Sequence, residues 1–268
     1  MAIITISRGS YSKGEEVAKK VAEKCGYKHI SRDVILEASK EFNTPEIKLI
    51  QAIHDAPSIL SRFGYEKETY IAFVRAEILK HFKEDNVVYS GLAGHFFVEG
   101  VSHVLKVRII ADFAERVKAE MERKGISEKK AAAMLKKDDE ERRKWSKSLY
   151  GIDTWDPALY DMTIHIRKIT ADDAAEIIYQ TVQLDSFKPT PESKKRLEDL
   201  ALAAEIKAAL IDFRPDIEVQ ASNGEVFLKT RDTLSNEPVI IEEIKKRTAH
   251  IIPFQKIHID VRLKDPVY

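Results

Sequence analysis

The polar segment SRGSYSKGEE, residues 7–16, has the residue types and the position needed to bind a phosphate. Residues 2–6 before it are mostly β-branched and apolar, which predicts a buried parallel strand. From Gly14 apolar residues recur at helical spacing, so a helix is predicted to run to Cys25-Gly26. A loop in this place directs backbone N–H groups and the positive end of the helix dipole at one point. The predicted phosphate loop comprises Arg8, Gly9, Ser10, Tyr11, Ser12, Lys13 and Gly14.

The loop departs from the common phosphate-loop motif directly after its last glycine. In that motif Lys and then Ser or Thr follow the glycine, whereas this chain has Glu15 and Glu16. Lys13, Arg8 and Ser12 would then have to supply the charge and polar contacts, with Lys13 as a catalytic cation. The alternative is an ordinary glycine turn, in which the two acidic residues simply favour the first turn of a helix.

A second segment with possible chemistry is the charged run KKDDEERRKW, residues 136–145. Arginines on a mobile helical lid can neutralise a migrating phosphoryl group, so Arg142 and Arg143 are candidate catalytic residues. The alternative is a solvated helix face with ion pairs four residues apart. Trp145 and Trp155 are predicted to pack within the lid rather than to stack on a base.

The histidines are weaker candidates. His95 follows a predicted strand and could make a polar contact, although packing is the more common role of such a residue. His54-Asp55 and His165 could form acid-base pairs, but no third residue near them completes a triad. No group of residues is assigned as metal ligands.

Strands and helices alternate through the first two-thirds of the chain. This alternation predicts a parallel sheet with helices on both faces. After the first strand and helix, further helices are predicted at about 32–42, 68–82, 113–149 with a break at 124–125, and 171–184, and strands at 87–90, 104–111 and 162–166.

The two prolines of segment 185–193 predict a linker between two domains. Asn223-Gly224 lies between two alternating segments and predicts a hairpin, because both residues tolerate positive φ. The domains are therefore placed at 1–184 and 195–268, joined by 185–194. In the second domain helices are predicted at about 195–211 and 238–248, and strands at 217–221, 225–230 and 256–263.

Composition excludes several classes of function. The 44 basic and 44 acidic residues cancel, which argues against broad electrostatic binding to nucleic acid. Cys25 is the only cysteine, so no intrachain disulfide can form and a structural zinc site would lack thiolates. The N-terminus does not resemble a signal peptide, and no apolar stretch approaches the roughly 20 residues of a membrane helix. A cytoplasmic location is the expectation.

Several motifs in serial order over about residues 1–184 resemble the cytidylate kinase-like family of P-loop nucleoside monophosphate kinases. The resemblance implies an α/β fold with a parallel sheet, helices on both faces and a helical lid. The motifs are ITISRG with Gly14 and Glu16, RDVI at 32–35, VLKVRIIAD with ERV at 115–117, GISE at 125–128, Asp139 with Arg142, and residues 150–161.

That resemblance also implies ATP with magnesium as phosphoryl donor and CMP or dCMP as typical acceptor. Gly9–Gly14 would hold the donor phosphates, Arg32, Asp33 and Arg116 would lie near the acceptor or phosphate groups, and Arg142 would be the lid arginine. One departure is Gly91-Leu92, where the family usually has Gly-Arg.

Residues 195–268 resemble a BON domain, a small αββαβ fold associated with binding ligands or membranes rather than with catalysis.

Two functions of the whole chain therefore stay open. One is a nucleoside monophosphate kinase, and the other is a weakly active or inactive nucleotide sensor whose C-terminal domain docks a partner or ligand.

Overall fold

A five-stranded parallel sheet forms the larger part of the protein. The computed structural model describes residues 2–9, 12–31, 33–42, 66–91 and 94–263. The strand order is β2-β3-β1-β4-β5, so the first strand is central, as its apolar sequence requires. The strands are β1 (Ile3–Arg8), β2 (Lys28–Ile30), β3 (Val87–Ser90), β4 (Val104–Ala111) and β5 (Met162–Ile166).

Helices cover both faces of this sheet, as predicted. Ile4 and Ile6 of β1 contribute to a core with the helices of one face, and Ile3 contributes to a core on the other face. Successive strand residues therefore enter different cores, which explains why β1 is apolar at nearly every position. The described helices are α1 (Gly14–Cys25), α2 (Asp33–Glu41), α3 (Glu66–Phe82), α4 (Phe113–Lys124), α5 (Glu128–Tyr150), α6 (Ala171–Val182), α7 (Pro191–Leu210) and α8 (Glu237–Thr248).

The predicted elements are confirmed to within a few residues, with two differences. The short strand β2 was not predicted, because three residues at a sheet edge carry no detectable period. Helix α7 begins at Pro191, four residues before the predicted start at 195. Thr190 caps this helix by accepting a hydrogen bond from the Ser193 amide, and proline suits the first helical turn.

The C-terminal part is a separate three-stranded sheet with the element order αββαβ. Strands β6 (Glu218–Ser222) and β7 (Glu225–Asp232) are antiparallel, and β8 (Ile257–Leu263) pairs with β7 in parallel. The hairpin between β6 and β7 turns at Asn223 and Gly224, whose φ angles are 57° and 75°. This confirms the predicted hairpin.

Helix α7 contributes to both parts of the molecule. Leu197 and Ala204 pack in the core that covers one face of the large sheet. Ile206 and Leu210 pack in the core of the small sheet. The division of the chain into two domains at 185–194 stays a prediction, but α7 buries opposite sides of itself in two cores.

Hydropathy gives no sign of a membrane-crossing helix. Within the described ranges, no helix combines the necessary length with sufficient apolar character.

Candidate functional site

The segment after β1 turns at the carboxyl edge of the large sheet. The Gly9 amide donates to the Ile109 carbonyl of the neighbouring strand β4 at 3.2 Å. The Ser12 amide donates back to the Gly9 carbonyl at 3.3 Å, and the fully buried Ser12 hydroxyl lies 3.0 Å from the carbonyls of Gly9 and Ile109. Ser12 therefore stabilises the turn from its buried side, because its amide and its hydroxyl both donate hydrogen bonds to backbone carbonyls. The turn lies between β3 and β4, at the edge where open parallel sheets bind ligands.

Two residues set the geometry at the start of α1: Lys13 by its backbone conformation and Gly14 by its lack of a side chain. Lys13 precedes the helix with φ 62° and ψ 12°, a left-handed conformation that reverses the chain before Gly14. A Cβ on Gly14 would lie 2.6 Å from Cβ of Arg8, so only glycine fits against that side chain. The first-turn amides of α1 have no carbonyl partner inside the helix and can bind an anion.

Glu15 is paired rather than free. Its carboxylate accepts a hydrogen bond from Arg8 Nη1 at 3.1 Å and lies 3.3 Å from Lys19 Nζ. Partial burial acts to raise the pKa of Glu15, but Arg8 and Lys19 outweigh it and the pKa lies below its usual range. Glu15, the residue that departs from the common motif, thus lies against Arg8, and its negative charge is balanced by Arg8 and Lys19.

Two arginines of the helical hairpin α4–α5, which contains the predicted lid, approach this loop. Arg142 Nη1 of α5 donates to the Arg8 carbonyl at 3.2 Å. Arg116 of α4 lies beside Gly9, with Nη1 3.6 Å from the position of a Cβ on that glycine. Asp139 binds both terminal nitrogens of Arg116, at 3.2 and 2.8 Å. The structure therefore brings together Arg8, Arg116 and Arg142, which the sequence placed far apart.

Arg143 has different contacts. It forms a two-pronged ion pair with Asp153, in which Nε lies 2.9 Å from Oδ2, and its guanidinium carbon lies 4.7 Å from the centre of the Trp155 ring. These contacts fix the segment after α5 to the helix. Trp155 is 55% exposed and packs on Arg143 of α5, the helix of the predicted lid, rather than into an apolar core.

A group of side chains next to the loop contains His95, a weak candidate from the sequence, and residues that were not named as candidates. The Tyr160 hydroxyl donates to the Thr154 carbonyl at 3.1 Å and lies 3.3 Å from Ser7 Oγ at the end of β1. Arg108 lies over the Tyr160 ring at 5.5 Å, and the His95 ring is 5.0 Å from it. These residues come from four separate places in the sequence, so only the fold brings them together.

His95 in this group is neutral. Burial, reinforced by the charges of Lys106 and Arg108, lowers the pKa of His95 to about 3. Within the part of the chain that the structure describes, His95 Nε2 and Arg108 Nη1 are buried without a hydrogen-bond partner. Two polar atoms that point into the protein at a sheet edge are candidate contacts for a ligand.

Other predicted residues lie elsewhere. Asp33 is the first residue of α2, and His165 pairs with Asp112 at 3.0 Å. Ser10, Tyr11, Arg32, His54, Asp55 and Leu92 lie outside the described residues.

This chain is similar to proteins of one known family. Residues 3–168 match the model of the cytidylate kinase-like family. The chain belongs to this family. The cytidylate kinase of Archaeoglobus fulgidus is 33% identical over 189 residues, which cover 69% of this chain and 97% of that protein. The cytidylate kinase of Pyrococcus horikoshii is 26% identical over 199 residues, covering 73% and 95%.

A solved structure shows the same fold. An uncharacterized protein from Eubacterium ventriosum superimposes with a TM-score of 0.55 at 24% identity, covering 68% of this chain and 98% of that one. In this cytidylate kinase-like chain the turn after β1 and the lid helices α4 and α5 lie within the matched residues. The match ends before α7, so the small C-terminal sheet lies outside it. The family and its curated relatives support a kinase.

Proposed function

We propose that this protein transfers the γ-phosphoryl group of ATP to a nucleoside monophosphate, with CMP or dCMP as the first candidates. The observation that carries the proposal is the contact of Arg142 with the Arg8 carbonyl, beside Arg116 and Gly9. Three guanidinium groups near a helix N-terminus match the charge of a transferring phosphoryl group. Phosphoryl transfer needs mainly such positioning and electrostatic stabilisation.

The donor side fits a triphosphate. Gly9 and Gly14 keep side-chain bulk away from the turn, and the amides of the first turn of α1 are the proposed phosphate contacts. Lys13 would approach the phosphates from its left-handed position. Ser12 is proposed to shape the turn, because its hydroxyl is buried and bonded internally.

Magnesium, when bound with the nucleotide, would neutralise charge on the β- and γ-phosphates. The described loop offers it no hydroxyl ligand, because the Ser12 hydroxyl faces inward and glutamates follow Gly14. We therefore propose that magnesium is held chiefly by the phosphates.

The acceptor is proposed to bind beside the donor loop. Arg32 and Asp33 at the start of α2 are the acceptor contacts that the family resemblance suggests. Arg108 is a further candidate, because its Nη1 is buried without a hydrogen-bond partner among the described residues and its guanidinium carbon lies 5.5 Å from the centre of the Tyr160 ring. Neutral His95 adds no positive charge, so Arg108 and Arg116 would supply the attraction for a phosphate.

The competing hypothesis is a nucleotide sensor without turnover. Family membership and relatives that are kinases favour the enzyme. The αββαβ order of the C-terminal part is compatible with a BON-like domain at 195–268. We propose that this part docks a ligand or protein partner in either case.

The test combines turnover with binding. Pure protein is incubated with ATP, magnesium and a panel of nucleoside monophosphates, and ADP formation and nucleotide affinity are measured in parallel. We expect Arg142→Ala to lower kcat by at least about 100-fold, since removing one electrostatic donor has that effect in other enzymes. Lys144→Ala is the matched control, because Lys144 is exposed on the same helix and pairs only loosely with Glu140 at 3.6 Å.

Each result decides between the hypotheses. Turnover that is lost with Arg142 and kept with Lys144→Ala supports the kinase. Binding of ATP without turnover toward any acceptor supports the sensor, and failure to bind any nucleotide overturns both.

A further inference from the structure

A second cluster of chemically active side chains lies between α2 and α3. Glu77 and His81 stand one turn apart on α3, and Glu37 approaches them from α2. His81 Nε2 lies 2.5 Å from Glu37 Oε2 and 3.7 Å from Glu77 Oε1. The Glu77 side chain is 2% exposed and that of His81 7%, so both are removed from water.

The three ligand atoms are arranged as around a small cation. All of them lie within 4.8 Å of one another. In a tetrahedral zinc site with bonds of about 2.0–2.2 Å, neighbouring ligand atoms are about 3.3 Å apart. The observed separations of 2.5 and 3.7 Å lie on either side of that value, so small side-chain rotations would suffice.

Charge around the cluster also favours a cation. Lys80 Nζ pairs with Glu41 at 2.6 Å, and the Glu77 carboxyl contacts those of Glu41 and Glu37. Lys28 lies 3.3 Å from His81 Nδ1 and 3.8 Å from Glu84. When all are ionised, the four carboxylates and two ammonium groups leave two negative charges beside the imidazole. A single divalent ion would balance them.

We propose that Glu37, Glu77 and His81 form a binding site for one divalent transition-metal ion, with zinc as the first candidate. Imidazole with carboxylates selects ions such as zinc over magnesium, which prefers oxygen ligands alone. The site lies between two helices of the family fold and is separate from the proposed phosphate-binding loop. Its role is to tie α2 to α3.

Metal binding would change the hydrogen bonds of His81. With a metal on Nε2, the imidazole proton must be on Nδ1, which lies 3.3 Å from the donor Lys28 Nζ and 3.9 Å from Glu84 Oε2, so the exposed Lys28 side chain has to turn away from the ring. A carboxylate behind a ligating histidine is the usual arrangement that fixes its tautomer. The proton that leaves Nε2 moves to Nδ1 by tautomerisation, so this step consumes no other reactant.

A route for the ion exists. A cavity of about 520 Å³ borders the cluster and is lined by Glu41, Glu77 and Lys80, together with residues of α7 and α8. Glu37 is 44% exposed on the outer side. The ion can therefore reach the buried carboxylate without unfolding either helix.

The experiment uses the full chain, freed of metal with a chelator. Equilibrium dialysis against zinc, manganese or magnesium chloride gives the stoichiometry, and calorimetric titration gives the affinity. We expect one zinc ion per chain, weaker binding of manganese and no saturable binding of magnesium. Glu37→Gln and His81→Gln should each weaken zinc binding by at least about 100-fold, because each removes a ligand.

Two further variants localise the ion. Cys25→Ser is the control for adventitious thiolate binding and should bind zinc as the unaltered chain does, because Cys25 lies on α1 outside the cluster. In His81→Cys loaded with cobalt, we expect a thiolate-to-metal charge-transfer absorption that the Cys25→Ser protein lacks.

Folding of each variant is checked by circular dichroism. If His81→Gln fails to fold, Glu37→Gln decides, because the half-exposed Glu37 side chain is not needed to fill a core. Zinc binding that is absent, or equal in Glu37→Gln and the unaltered chain, overturns the proposal.

Discussion

At the scale of single residues, the loop after β1 depends on close packing between a glycine and an arginine. Gly14 touches the Arg8 side chain, and Arg8 in turn pairs with Glu15. The carbonyl of Arg8 accepts the hydrogen bond of Arg142. One residue, through its side chain and its backbone carbonyl, therefore connects the start of α1, the end of β1 and the lid.

We predict that Gly14→Ala destabilises the protein by about 1–3 kcal/mol, the usual cost of overpacking. Its Cβ would lie 2.6 Å from Arg8 Cβ, and that clash outweighs the gain in helix propensity of about 1 kcal/mol. Gly9→Ala is the control, since its Cβ would meet nothing closer than Arg116 Nη1 at 3.6 Å. Urea denaturation measures both, and equal losses would contradict the packing argument.

A second residue-scale prediction concerns acid stability. The pKa of His95 is lowered to about 3 from an ordinary value near 6.5, so between these pH values the unfolded chain binds the proton and the folded chain does not. Stability must therefore fall as pH falls from about 6.5 toward 3. His95 should contribute a loss of about 2 kcal/mol between pH 7 and pH 5.

The free energy of unfolding at the two pH values measures this effect. His95→Gln should flatten the pH dependence by that amount, whatever its effect on stability at pH 7. His250→Gln, at an exposed position, should leave it unchanged. A His95→Gln protein with the original pH dependence would refute the assignment.

The sequence could predict the part of the candidate site that is one continuous segment, but not the parts that combine residues distant in the sequence. The turn after β1 was predictable because strand, glycine turn and helix follow one another within 25 residues, whereas its binding of a phosphate stays a prediction. The group around His95, Arg108 and Tyr160 was not predictable, since it forms from a turn, a strand and the segment before another strand, which are far apart in the sequence. The pairing of Glu15 with Arg8 was also hidden, because it depends on the left-handed turn at Lys13.

At the scale of elements, the lid is a helical hairpin with a small core of its own. Helices α4 and α5 pack through Val117, Ala131 and Leu135 and reverse at Gly125, which has φ 63°. The pair Arg116–Asp139 joins the two helices where they approach the loop. The Arg116–Asp139 contact therefore fixes both the packing of α4 against α5 and the position of the Arg116 side chain.

We predict a coupling of about 1–3 kcal/mol between Arg116 and Asp139, the range of charged hydrogen bonds. Their side chains are only 11% and 17% exposed, so water screens the pair weakly. A double-mutant cycle with Arg116→Ala and Asp139→Ala measures it by denaturation. The exposed pair Glu140–Lys144 is the control and should give less than about 0.5 kcal/mol. Similar values for both pairs would be inconsistent with this view of the lid.

At the scale of the whole molecule, α7 joins two cores that the sequence suggested were independent. The prolines of segment 185–193 predicted a linker, yet Pro191 begins a helix of 20 residues. The apolar residues of this helix lie on two opposite sides, as expected for a helix that packs between two cores. The apolar pattern of the helix indicates this packing, while the domain boundary at 185–194 stays a prediction.

We predict that a chain ending at residue 184 is less stable than one ending at residue 211. The shorter chain loses Leu197, Leu200 and Ala204 from the core beside α3, and each lost large side chain costs about 2–5 kcal/mol. The chain ending at 211 keeps them and loses only the small sheet. Thermal unfolding followed by circular dichroism compares the two, and a cooperative transition of the 184-residue chain at the original temperature would show that the linker prediction was right.

Burial of α7 in two cores should reduce the local opening of its backbone hydrogen bonds. Amide protons exchange with deuterium only when their hydrogen bonds open, and opening one core leaves α7 packed against the other. The middle of α7 should therefore exchange more slowly than β1 or β7, although it lies at the centre of neither sheet. Any ligand that steadies the small sheet would slow exchange on the α3 side of the large one through this helix alone.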